Sequence, residues 1–192
     1  MFGVRRFYFL ITMPARISPE LRAKLKRIKL FLCDVDGVMT DGAVYLGGPR
    51  EIKRFHIRDG LGLIFLRRAG FKVGWVSARP SPVTEARAAE LGIDFLIQQG
   101  DRIGKTGAVE KLLQRTKLDW DAVCFVGDDV VDLGPLRRAG FAVAVADARP
   151  EVKAAADYIT RAPGGHGAIR EVAEMILQAR GEWDAIVEHY QA

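Results

Sequence analysis

Three aspartates crowd the end of one apolar run. In "KLFLCDVDGVMTDG", Asp34, Asp36 and Asp41 follow residues 30–33 at once, with Gly37 and Gly42 among them. Two carboxylates about 4 Å apart repel by about 4 kcal/mol at an effective dielectric of about 20, so a buried strand that ends this way needs positive charge nearby. The rest of the sequence offers it. "VSAR" carries Ser77 and Arg79, Lys105 follows "QQGDRIG", and "VGDDVVD" adds Asp128, Asp129 and Asp132. Asp34, Asp36, Asp128 and Asp132 form an oxygen-only donor set, which suits a hard cation such as Mg²⁺ that keeps some of its waters. That cation and Lys105 would hold the carboxylates together and leave one acidic side chain aimed at a substrate. Each part alone has a plainer use. Asp and Gly after a strand are turn residues, Asp is favoured at helix N-caps, Ser77 can be a turn hydroxyl, and a single lysine is usually solvated. The order and spacing of all four parts together favour chemistry.

These residues converge only if particular elements carry them. Short β-rich runs at 30–33, 72–76, 94–97, 122–126 and 142–145 alternate with helical segments at 60–69, 82–91, 105–116, 132–139 and 150–156. Strands alternating with helices predict an α/β fold, a doubly wound, Rossmann-like parallel sheet covered on both faces. In such sheets ligands bind beyond the carboxyl ends of the strands, where strand order reverses. Asp34 and Asp36 follow the first strand, Ser77 and Arg79 the second, and Asp128 the fourth, while Lys105 opens a helix. Ser18 and Pro19 mark the start of an earlier helix. Ile169, Val172, Ala173, Ile176 and Leu177 have helical spacing. "AVYLGGPREIKRF", residues 43–55, reads as a β-hairpin flap over the aspartates, with no separate cap domain. The expected division is a basic arm with a short helix (1–28), one α/β domain (29–180) and a tail (181–192).

Charge and hydropathy exclude other classes. The chain has 192 residues and a net charge of +5, but residues 1–29 hold eight Lys/Arg against one Glu, and residues 30–192 hold 21 against 23. The excess lies in the arm, so a nucleic-acid partner is not expected. The apolar run at 7–11 is too short for a secretory signal and no span reaches about 18 apolar residues, so neither export nor membrane insertion is read. Met13 offers an alternative start to Met1. Cys33 and Cys124 fall in strand-like runs as buried thiols, which fits a reducing cytoplasm.

On these motifs the chain resembles the haloacid dehalogenase superfamily of phosphotransferases. "DVDGV" is similar to its first motif, Ser77 of "VSAR" to its hydroxyl motif, Lys105 to its lysine motif, and "GDDVVD" to its acidic metal motif. The likeness runs from about Lys29 to Arg180. Within that superfamily, "DVDGVMTDG", "FHIRDGLG", "VGDDVVDL", "VAVADARPEVKAAADYIT" and "GGHGAIREV" resemble the capless, tetrameric 3-deoxy-D-manno-octulosonate 8-phosphate phosphatases.

The resemblance implies a cytoplasmic, homotetrameric, Mg²⁺-dependent phosphatase acting on a small sugar-acid phosphate through an aspartyl phosphate. It implies Asp34 as nucleophile and Asp36 as acid–base group, with Mg²⁺ held by Asp34, the Asp36 carbonyl and Asp128. Ser77 and Lys105 would complete the phosphate cradle, and Asp132, with Asp129 as the alternative, would orient the metal site or ligate the ion indirectly. Asp36, His56, Arg58, Asp59, Gly60, Arg79, Arg87 and Lys105 would meet the substrate, the guanidinium groups binding its carboxylate. Four positions depart from the family pattern. Ser77-Ala78 stand for Thr-Gly, His56 for asparagine, Ile64 for arginine and His166 for arginine. A nine-carbon sugar-acid phosphate or another sugar phosphate therefore stays open as substrate. Two other classes compete, an idle oligomerisation module and a phosphoacceptor receiver domain. The retained acidic, hydroxyl and lysine residues speak against the first and the paired aspartates against the second. In the family the glycine loop, Gly164 to Gly167, lies near a neighbouring subunit's site. The tail beyond Arg180 is expected either to cover such a site or, from the spacing of Trp183, Ile186, Val187 and Tyr190, to form a packed helix.

Overall fold

The computed structural model describes residues 18–46, 51–98 and 104–191. Helix α1 (Pro19–Arg27) begins where Ser18 accepts the Leu21 N–H. It leads into β1 (Leu30–Cys33), every residue of which is buried. A strand this apolar needs neighbours on both edges and cover on both faces, and becomes the middle of a parallel sheet. The sheet has six strands in the order β3-β2-β1-β4-β5-β6. The others are β2 (Lys72–Ser77), β3 (Phe95–Gln98), β4 (Val123–Gly127), β5 (Phe141–Ala144) and β6 (Tyr158–Ile159). Helices α2 (Ile57–Arg68), α3 (Pro82–Leu91), α4 (Gly104–Thr116), α5 (Leu133–Leu136), α6 (Pro150–Ala154), α7 (Ala168–Arg180) and α8 (Trp183–His189) are the other α-helices of the described residues. The doubly wound α/β reading is borne out.

Strand order reverses at β1, which pairs with β2 on one edge and β4 on the other, Cys33 standing opposite both Trp75 and Val126. Asp34, Ser77 and Asp128 therefore leave three adjacent strands within two residues of one level. Trp75, Phe31, Phe125 and Phe141 are the largest side chains buried beneath that rim.

The differences from the sequence reading are local. Strand β6, only two residues long, was not expected; it pairs Val143 with Tyr158 and Ala144 with Ile159. The helix expected over 132–139 is a 3₁₀ turn, Val130–Asp132, followed by α5, because Pro135 has no N–H to continue an earlier turn. The flap is less regular than a hairpin ladder. Thr40 bridges Phe55 and Tyr45 bridges Ile52 in antiparallel sense, with 3.2 Å hydrogen bonds in both directions between Tyr45 and Ile52. The expected turn at Gly47, Gly48 and Pro49, the start at Met1 or Met13 and most of the basic arm lie outside the described residues. Helix α8 is the packed alternative for the tail: Trp183 meets Phe65 edge-on at 5.9 Å, and Trp183 and Ile186 pack against the core.

Candidate active site

The loop after β1 is built on one carbonyl. The Val35 C=O accepts the N–H of Val38, Met39 and Thr40 at 3.3, 2.9 and 3.1 Å, while Val35, Val38 and Met39 are fully buried. The apolar residues of "DVDGVMTDG" thus anchor a tight turn that faces the two aspartates toward the rim. Gly37 has φ +92, and a Cβ there would overlap the Asp128 carboxylate. Gly164 presses on the same turn from α7's side, since a Cβ would overlap the Gly37 carbonyl oxygen, and the Gly165 N–H donates to the Val38 carbonyl at 2.9 Å. The glycine loop is thus a support of this chain's own aspartate loop.

Lys105 is the centre of charge. It is nearly buried, and its Nζ lies 2.7 Å from both Asp34 Oδ2 and Asp132 Oδ1. Burial works against its charge, but the two carboxylates outweigh it and raise its pKa. Asp34 Oδ1 accepts the Val35 N–H at 2.6 Å. Burial, reinforced by the Asp132 charge and only partly offset by Lys105, lifts the Asp34 pKa to about 7. Burial and the charges of Asp34 and Asp132 likewise lift Asp128 to about 7. Two carboxylates that resist ionising side by side mark a place where a cation belongs.

The residues fit one. Oxygens of Asp34, Asp128 and Asp132 lie within 4.8 Å of one another. Asp132 is already committed, accepting from Lys105 on Oδ1 and from the Asp128 N–H at 3.0 Å on Oδ2. Asp128 Oδ1 is buried with no hydrogen-bond partner among the described residues. Asp128 therefore offers an unpaired oxygen to Mg²⁺, and Asp34, whose two oxygens meet Lys105 and the Val35 N–H, would share the ion through a remaining lone pair, with Asp132 fixing their surroundings. The Asp36 carboxylate stands outside this cluster.

Ser77, 3% exposed, shares a cavity of about 190 Å³ with Lys105, bounded by Ile97 and Val131. Its hydroxyl also shapes the turn, donating to the Arg79 carbonyl at 3.0 Å and accepting the Arg79 N–H at 3.1 Å. Arg79 reaches Asp36, Nε to Oδ2 3.5 Å, and Glu51 at 2.6 Å. Arg87 lies against Gly60, where a Cβ would come 2.7 Å from its Nη2, and it pairs with Glu90 at 2.7 Å.

Other expected substrate contacts stand elsewhere. Asp59 is fully buried and caps α7, accepting the N–H of Gly167 at 3.0 Å and of Arg170 at 2.8 Å. Arg58 is exposed and lines a separate cavity of about 770 Å³ with His56, His166 and Arg170. Ile64 lines a cleft with Arg67 and Leu91. Sequence reasoning missed Lys53, whose Nζ lies 2.7 Å from Asp36 Oδ1, and Glu51. The signal lies in the two-residue alternation of "EIKRF", which puts Glu51, Lys53 and Phe55 on one face.

The family follows from comparison with known proteins. A family model described as haloacid dehalogenase-like hydrolase matches residues 99–171. The 3-deoxy-D-manno-octulosonate 8-phosphate phosphatase of Escherichia coli (strain K12) is 38% identical over 176 residues, 91% of this chain and 93% of that protein. The chain belongs to this phosphatase family. As a member it is a phosphoric monoester hydrolase of the haloacid dehalogenase type. Solved structures of the family superpose on it. The phosphatase from Moraxella catarrhalis, in complex with a magnesium ion, a phosphate ion and a KDO molecule, is 37% identical with a TM-score of 0.85, covering 89% of this chain and 98% of its own. The cobalt-bound phosphatase from Haemophilus influenzae is 40% identical with a TM-score of 0.79, covering 83% and 93%.

Proposed function

We propose that the protein hydrolyses 3-deoxy-D-manno-octulosonate 8-phosphate, with Asp34 as nucleophile and Asp36 as acid–base group. One observation carries this reading. Asp34 is held by Lys105 beside a cavity that Ser77 also lines, while Asp36, two residues on, is turned out of that cluster toward the flap. An aspartate fixed for attack and a second one separated from it are what a double displacement needs. As the bond from Asp34 to phosphorus forms, the bond from phosphorus to the sugar oxygen breaks and that oxygen takes a proton from Asp36. Asp36, now a carboxylate, then takes a proton from water as the water oxygen attacks phosphorus and the acyl phosphate bond to Asp34 breaks. Bound Mg²⁺ supplies charge neutralisation on the transferring phosphoryl group. Ser77 and Lys105 donate to the same oxygens, and Arg79 and Arg87 supply guanidinium groups for the sugar-acid carboxylate.

The exposed apolar residues of the flap, Val44, Tyr45, Leu46 and Ile52, support a homotetramer in which copies of the flap cover one another. No helix among the described residues is long and apolar enough to cross a membrane, and both cysteines are free and buried, which supports a cytoplasmic enzyme. A second reading, a nine-carbon sugar-acid phosphate, stays open because Ile64 and His56 stand where the family pattern has arginine and asparagine.

A phosphate-release screen over sugar phosphates, with Mg²⁺ or with chelator, tests these readings. Mg²⁺-dependent release from 3-deoxy-D-manno-octulosonate 8-phosphate in preference to the others is expected. Faster release from a nine-carbon acid phosphate would favour the second reading, and no release from any would overturn both.

A further inference from the structure

The return arm of the flap alternates. Ile52 and Arg54 are exposed, whereas Glu51, Lys53 and Phe55 turn inward, as the two-residue period of extended chain requires. Each inward side chain meets a residue of the site. Glu51 holds Arg79 at 2.6 Å and also takes the Ser81 hydroxyl. Phe55 stacks on Trp75 with ring centroids 6.0 Å apart and lies 6.0 Å from the Arg87 guanidinium. Lys53 reaches Asp36.

Lys53 is not a solvated lysine. Its side chain is 0% exposed, its Nζ lies 2.7 Å from Asp36 Oδ1, and it donates to the Thr84 hydroxyl at 3.1 Å. Taking an ammonium out of water is costly unless its partners are fixed in place, and both partners here are. Thr84 is itself fully buried in the first turn of α3, where its N–H donates to Ser81 Oγ at 3.2 Å. Asp36 Oδ1 is buried and makes no hydrogen bond among the described residues, so the ion pair with Lys53 is what holds it. The ammonium is therefore a rigid post between the cap of α3 and one oxygen of Asp36, and the other oxygen, Oδ2, is left toward Arg79 and the open rim.

We propose that Lys53 is the positioning residue of the acid–base aspartate, holding Asp36 Oδ1 so that Oδ2 is the oxygen that exchanges protons with the leaving group and with water. This rests on the reading of Asp36 as acid–base group. The ammonium stays beside Oδ1 by its contact with Thr84 whether or not Oδ2 carries the proton, so the hold persists through both half-reactions. The flap is then part of the catalytic apparatus as well as its cover.

The test uses leaving groups. A sugar alkoxide must be protonated as it departs, whereas p-nitrophenolate leaves unaided, and kcat/KM reports the step in which either departs. Lys53→Met is expected to lower kcat/KM about 10²-fold on 3-deoxy-D-manno-octulosonate 8-phosphate, the size of loss a roughly 1 Å misplacement causes, and less than about 3-fold on p-nitrophenyl phosphate. Thr84→Val, which removes the far anchor without touching Asp36, is expected to give the same pattern at smaller size, and serves where Lys53→Met does not fold. Equal losses on both substrates, or full activity on the sugar-acid phosphate in both variants, would overturn the proposal. Asp36→Asn measured alongside separates the two ideas. If it shows the leaving-group pattern and the Lys53 and Thr84 variants do not, the positioning role fails while the acid–base reading stands. If Asp36→Asn lacks the pattern, the acid–base reading fails, and the positioning role with it.

Discussion

Asp59 on α2 accepts the backbone N–H of Arg170 on α7 at 2.8 Å, across 111 residues of chain. Its other oxygen accepts the Gly167 N–H. Helix α7 starts after a glycine at φ +109 and has no local side chain to cap it, so its N-cap is supplied from α2. The two helices are close enough for this because Gly62 has no side chain; a Cβ there would come within 3.2 Å of Ala173 Cβ.

Asp59→Ala is therefore expected to destabilise the protein by about 2 kcal/mol, the upper end for a lost cap, because two half-buried N–H groups lose their acceptor. Asp59→Asn keeps one acceptor and should lose less. Urea denaturation measures both, and a loss below about 0.5 kcal/mol for Asp59→Ala would show that the cap carries little. The kcat and KM of Asp59→Asn per folded molecule separate a cap from a substrate contact, since a cap leaves both near their native values.

Asp34→Asn should stop phosphate release while the protein stays folded, because burial already penalises the charged form and Lys105 keeps Asp132 as a partner. Asp36→Asn should slow turnover at least about 10²-fold by removing acid–base help. Near-native release by Asp34→Asn, with an unchanged circular dichroism spectrum, would remove it as nucleophile.

Without metal, stability should fall as pH rises from 5 to 8. Asp34 and Asp128 have folded pKa values near 7 against 3.8 for the free carboxyl, so the native state binds more protons than the unfolded state across that window. Their favourable contribution is complete below the unfolded value and is lost as pH passes the folded one. The carboxylates held low, Asp41, Glu51 and Asp94, act in the opposite sense but lose their effect only at lower pH. Mg²⁺ binds the ionised forms, so the rise in melting temperature on adding Mg²⁺ to chelator-treated protein should grow with pH. A rise that is constant or shrinks toward pH 8 contradicts a metal held by these carboxylates.

Truncation after Arg180 should lower the melting temperature. It removes Trp183 and Tyr190, whose rings each stand 5.9 Å from the Phe65 ring, and the Tyr190 hydroxyl that accepts from Arg68 at 2.8 Å. Each aromatic pair is worth about 0.5–1.5 kcal/mol beyond the area it buries. Altered kinetics with an unchanged melting temperature would point instead to a mobile cover.

By itself the sequence determined the fold class and the strand ends at which the acidic and hydroxyl residues stand. The reason is locality. A buried parallel strand is a run of apolar residues, and the carboxyl end of such a strand is where its chemistry stands, so "LFLCDVD" and "VCFVGDD" carry their own placement. What depends on residues far apart was left to tertiary structure. Lys53 looks like any surface lysine until the flap folds back and buries it against Asp36 and Thr84, the latter 31 residues away. Asp59 is itself expected from the sequence to meet the sugar, but its oxygens accept from a helix N-terminus more than 100 residues later. The pair Tyr158–Ile159 is too short to show a period and becomes a strand only because β5 offers it an open edge. The charge balance of the opening aspartates was decided in the same way. Asp34 meets Lys105, Asp36 meets Lys53 and Asp41 meets Arg54, and each pairing exists only because separate segments close on one rim; burial strengthens the first two, while the third stays exposed.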